Sequence, residues 1–165
     1  MQLSDFFDYK NQLMSDLLTN DEILKLLEDS DVVMRPEDFP YRRVFPYQFV
    51  PETVEEGKTF ICFDVDVQRV SEKTYLNPVL YIWVITHKSI MRLPEGGVRV
   101  DKICNEICKA INGSREYGLG ELNLYSVKRY APMVDFQGKV LTFTAKEFNR
   151  QYDPNKYTPA NRKRG

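Results

Sequence analysis

Thr59-Phe60-Ile61-Cys62-Phe63-Asp64-Val65-Asp66-Val67, followed after a break by Val79-Leu80-Tyr81-Ile82-Trp83-Val84-Ile85-Thr86, is the stretch that decides the fold. In the first half Ile61, Phe63, Val65 and Val67 alternate with Phe60, Cys62, Asp64 and Asp66. That is the period of a strand with two unlike faces, and it predicts a strand over 59–70. The second half is apolar on both faces, as a central strand is. A turn region over 71–78 joins the two, so they are expected to form an antiparallel pair.

Downstream, 87–97 reads as a polar loop ending in Gly96-Gly97. A helix is expected over 99–112, with Ile103, Ile107, Ala110 and Ile111 on one face, Asp101 at its start and Asn112-Gly113 at its end. Gly118-Leu119-Gly120 opens a strand that runs to Tyr130 and is stopped by Pro132. Asp135-Phe136-Gln137-Gly138 reads as a turn into a last strand over 139–145. Residues 149–165 carry two prolines and no apolar period, and are expected to form a basic, flexible tail.

Upstream, Leu3, Phe6, Phe7, Leu13, Leu17 and Leu18 fall near a 3.6-residue period, with Ser4 as a candidate N-cap and Asp5 and Asp8 in the first turn. Asn20 or Asp21 can cap a second short helix over 22–28. Residues 30–57 form a long irregular connection. Pro36, Pro40, Pro46 and Pro51 exclude a helix or a central strand there. Phe39, Tyr41, Val44, Phe45, Tyr47, Phe49 and Val50 make it too apolar for a disordered linker. Such an arm packs across its own sheet or on a neighbouring subunit, and the sequence leaves both open. The expected fold is α+β: one domain over 1–148 in the order α-α-β-β-α-β-β, with helices packed on one face of a mostly antiparallel four-stranded sheet.

A chain of 165 residues with 42% hydrophobic side chains can bury a core without staples, which argues against disorder. The net charge of −1 gives no global field for nucleic acid or an anionic membrane. Its distribution is uneven. Residues 1–30 set seven acids against Lys10 and Lys25, whereas 149–165 set Arg150, Lys156, Arg162, Lys163 and Arg164 against Asp153. The opening residues do not read as a secretory signal, and the longest apolar run is far short of a membrane span, so a cytoplasmic protein is expected.

Signs of catalysis are incomplete. Asp64 and Asp66 share a strand face and could hold a divalent metal with a phosphate, as in nucleases, but no third carboxylate follows. Cys62, Cys104, Cys108 and His87 are the inventory of a zinc site without its paired spacing, and three thiols at these spacings make no disulfide framework. The glycine pairs lack a phosphate-binding lysine. Lys128-Arg129-Tyr130 and Arg162-Lys163-Arg164 are basic but sit in no nucleic-acid module.

Several local patterns resemble the neck proteins of long-tailed bacteriophages, in particular tail terminators and similar small head–tail joining proteins. They are the run from Asp16 to Leu27, Phe45-Pro46-Tyr47-Gln48-Phe49-Val50-Pro51, His87 after the second strand, Arg99-Val100-Asp101-Lys102-Ile103, and Phe136-Gln137-Gly138-Lys139-Val140-Leu141. The resemblance implies a homo-oligomeric, typically sixfold ring at the head-proximal end of a tail. Such a ring would end tube polymerisation and meet the tail tube protein and the head connector, without a cofactor, metal, catalytic residue or membrane. Localisation would be the virion neck, after assembly in the host cytoplasm. The candidate contact residues are Phe45, Tyr47, Phe49, Val50, Arg92, Arg162, Lys163 and Arg164. The alternative reading is a metal-dependent nuclease or phosphodiesterase using Asp64 and Asp66.

Overall fold

A computed structural model of the chain describes residues 5–28, 34–52, 57–68, 75–117 and 120–148. Helix α1 spans Asp5–Thr19 and α2 spans Asp21–Leu27; strand β1 is Val44–Phe45, β2 Thr59–Gln68 and β3 Tyr75–His87. Helix α3 covers Arg99–Ile111, and strands β4 (Asn123–Tyr130), β5 (Phe136–Thr144) and β6 (Glu147–Phe148) follow.

The four-stranded, mostly antiparallel sheet expected from the sequence is overturned. The sheet is mixed, with five strands in the order β1-β2-β3-β5-β4, and β6 also pairs with β3. β1 runs parallel to β2 through Val44↔Ile61 and Phe45↔Cys62. Two residues between Pro40 and Pro46 show no alternation, so β1 has no sequence signature. The final hairpin is laid down so that β5, not β4, lies beside β3.

Two expected turns are strand instead. Tyr75–Pro78 belongs to β3, and Phe136–Gly138 belongs to β5. Pro78 is tolerated because pairing with β5 stops at Val79↔Thr144. Gly138 is read as turn chemistry but serves close approach. A Cβ there would lie 1.9 Å from the Val84 carbonyl oxygen on β3, so no side chain fits.

The pair that decides the fold behaves as its pattern requires. Ile61, Phe63 and Val65 of β2 join Leu80, Ile82 and Val84 of β3 and Leu141 and Phe143 of β5 on one face. All three helices cover that face: Tyr9, Leu13 and Leu17 from α1, Ile23 and Leu27 from α2, Ile103 and Ile107 from α3. Asn20 caps α2 by accepting the Glu22 and Ile23 amides at 3.1 and 3.2 Å. Arg99 locks α3 to its neighbours, donating to the Ile90 carbonyl at 2.9 Å and to the Leu26 carbonyl of α2 at 2.8 Å. α3 ends at Asn112, and Gly113 leaves it with φ +81°, a conformation that favours glycine.

The opposite face is covered over part of its area by the connection ahead of β2. Phe45, Phe60, Cys62, Ile85 and Phe136 form a second buried cluster there, with Phe49 and Met133 packed on it. Phe45 and Phe49 stack at 3.9 Å between centroids. Gln48 donates to the Tyr130 hydroxyl at 3.2 Å, tying the arm to the far side of the sheet. Of the two readings open for the arm, these residues follow the intramolecular one.

Candidate functional site

Asp64 and Asp66 do share the face that alternation assigns them, but Asp64 is engaged. Its Oδ1 lies 2.7 Å from Lys10 Nζ and accepts the Val65 amide at 2.8 Å. Lys10 also donates to the Pro46 carbonyl at 2.9 Å. Among the described residues no three of His, Cys, Asp or Glu converge on a point where a metal could be held. The nuclease alternative therefore has no support in the geometry.

The zinc inventory is dispersed. Cys62 is fully buried on the arm side of the sheet, and its thiol donates to the Phe49 carbonyl at 3.6 Å. Cys104 and Cys108 lie on α3, against the helix-side core. Burial pushes the Cys62 and Cys104 thiols up to about 12, so neither offers a thiolate nucleophile. His87 is buried. Its Nδ1 lies 2.7 Å from Ser89 Oγ and accepts the Ser89 amide at 3.3 Å, capping the short helical turn Lys88–Ile90. Its ring meets Phe136 edge-on at 5.2 Å. This histidine shapes a chain reversal.

The contact candidates divide by exposure. Phe45 is buried, Phe49 is half-buried, and Tyr47, Val50 and Arg92 are exposed. Arg162, Lys163 and Arg164, with the rest of 149–165, lie outside the described residues.

Two further surfaces stand out, and neither has a sequence motif. The first is the β1 end of the sheet. There Tyr41 is exposed with φ +59°, a strained value for a tyrosine, and its ring lies 6.5 Å from that of Tyr47. Phe7, one turn from Lys10 on α1, is 73% exposed. The second is β4, the other edge of the sheet, where Leu124, Tyr125 and Val127 are exposed and Tyr125 sits at a break in the register. A groove of about 300 Å³ runs beside it, floored by Tyr81 and Thr142 and walled by Tyr125 and Lys128. The glycines ahead of it and Pro132 after it mark β4 as a strand, but only the strand order reveals it as an edge.

A family model described as YomW matches residues 20–145, from the α2 cap to the end of β5. The chain belongs to the YomW family. No curated protein matches the chain. In fold, this YomW member is similar to a chain from the virion of a native gene transfer agent particle. The TM-score is 0.51 at 18% identity, over 82% of this chain and 91% of that one. At that identity the likeness is one of fold. Among the described residues of the YomW chain no helix is long and apolar enough to cross a membrane.

Proposed function

We propose that the protein is a structural component of a tailed, phage-like particle, forming a ring at the head-proximal end of the tail. In this reading it ends tube polymerisation and joins the tail to the head connector, as a tail terminator or neck protein does. Its partners are further copies of itself, the tail tube protein and the connector, and it is neither an enzyme nor a cofactor protein.

The observation that carries the reading is the fold likeness to a chain of a virion particle, which spans most of both chains. Two features agree with it. Asp64 is committed to an ion pair with Lys10, and Cys62 and Cys104 are buried in packing. Several exposed aromatic and aliphatic side chains lie at the two ends of the sheet: Phe7, Tyr41 and Tyr47 at one, Leu124, Tyr125 and Val127 at the other.

Deleting the gene in a particle-producing host tests this directly. The expected outcome is full heads lying apart from tails, with tubes longer than their set length. Reintroducing the gene should restore joined particles that contain the protein. Normal particles from the deletion strain would sink the proposal.

A further inference from the structure

The two ends of the sheet differ in a way that assigns them to each other. The order β1-β2-β3-β5-β4 places them about four strand spacings apart, roughly 19 Å. At the β1 end the outer side of β2 is blunted. β1 covers it up to Cys62, and the Val65 amide is turned to Asp64. A blunted edge does not invite strand pairing, so what this end presents is its aromatic side chains, Phe7, Tyr41 and Tyr47.

At the other end β4 is the edge strand, eight residues long; its Leu124 amide is taken by Asn112 Oδ1 at 2.8 Å, and Leu124, Tyr125 and Val127 are exposed. No acid occurs from Leu122 to Val134, whereas Lys128 and Arg129 are both exposed. Among the described residues neither forms an ion pair; Arg129 bonds only the neutral Gln137, at 3.0 Å. Asp8, beside Phe7, is likewise exposed and forms no ion pair among the described residues. Asp66 of β2 is a second exposed acid at this end without an ion pair among the described residues, and Arg42 adjoins Tyr41; Asp8 is the acid beside Phe7.

We infer that the β4 edge of one copy docks on the α1–β1 end of the next, with Tyr125 against Phe7 and Tyr41, and with Lys128, which shares the groove with Tyr125, facing Asp8. The occupant of the apolar patch on β4 is thus a second copy of this chain. Pairing β4 with β4 across a twofold axis would give Lys128 no acid in any register and would leave Phe7, Tyr41 and Asp8 uncovered. Different patches at opposite ends make a heterologous contact, which repeats head to tail and closes into a ring when its rotation allows. The inference rests on the proposed ring and names the surfaces that build it.

Cysteine cross-linking of the full chain tests the contact. A chain carrying both Phe7→Cys and Tyr125→Cys, concentrated and mildly oxidised, should give a ladder of covalent oligomers that stops at the ring number. Either single variant should stop at dimers. Adding Lys128→Glu should cut the ladder about tenfold at low salt, and adding Asp8→Lys as well should restore it. Circular dichroism confirms that each variant is folded. A ladder no longer than that of the single variants, while the wild-type chain still assembles by light scattering, overturns the docking surfaces and leaves the ring. Neither ladder nor wild-type assembly overturns both. Charge reversal without effect, or without rescue by Asp8→Lys, overturns the pairing of these ends.

Discussion

Lys10 Nζ of α1 lies 2.7 Å from Asp64 Oδ1 of β2, and that carboxylate also accepts the Val65 amide. The acid that most resembles a catalytic ligand in the sequence is instead the clasp between the first helix and the outer side of β2. It occupies an amide that would otherwise be presented to another strand, a standard way to protect an edge. Lys10 extends the clasp to the arm through the Pro46 carbonyl.

Removing the clasp should cost little stability and no metal affinity. Both side chains are partly exposed, so solvent screening holds the pair to roughly 0.5–1 kcal/mol in a double-mutant cycle of Lys10→Ala and Asp64→Asn. Asp66→Asn should fall within about 0.5 kcal/mol of wild type. Urea titration measures all three, and calorimetric titration with Mg²⁺ or Mn²⁺ should give no binding heat that Asp64→Asn removes.

Gly138→Ala should be among the most damaging single-methyl additions to this chain. The new Cβ meets the Val84 backbone oxygen, which cannot rotate away, so β5 must move off β3. A cost of about 3 kcal/mol, at the upper end for overpacking, is expected from chemical denaturation. Gly96→Ala is a useful contrast, because its cost comes from backbone conformation, φ +97°, with open space around the Cβ.

The arm separates into folding and surface positions. Phe45→Ala should destabilise the chain by about 3 kcal/mol or more, because it empties the cluster under Phe49 and Phe60. Tyr47→Ser should change stability by less than about 1 kcal/mol, because that ring is 45% exposed. Thermal unfolding of the monomer distinguishes them, and a loss of assembly by Tyr47→Ser at unchanged melting temperature would mark it as a contact residue.

Alkaline pH should unfold the protein. Burial raises the Cys62 and Cys104 thiols from 9.0 to about 12. In the unfolded chain they ionise near 9, so between about pH 9 and 12 the folded state holds the extra protons. Their stabilising contribution is complete below pH 9 and is lost as pH rises towards 12. The Tyr9 and Tyr117 phenols, both raised by burial, act in the same sense at higher pH. Urea midpoints at pH 7, 9 and 11 should fall in that order, and Cys62→Ala should flatten the fall.

Local patterns in the sequence determined the three helices and the four longer strands. Alternation in β2, the apolar run of β3 and the 3.6-residue spacing of α3 each state their own burial, because neighbours a few residues apart share one face. The same patterns separated the two faces of β2, and so put Asp64 and Cys62 on the face opposite Ile61, Phe63 and Val65. Tertiary structure alone decided the rest. β1 exists only because Ile61 and Cys62 offer backbone groups to two residues that have no period of their own. Gly138 is a strand residue only because β3 passes too close for a side chain. Asp64 is a clasp only because Lys10, distant in sequence, reaches it. β4 is an edge, and so a candidate contact surface, because β5 took the place beside β3. Strand order depends on long-range pairing, which leaves no mark in a window of ten residues.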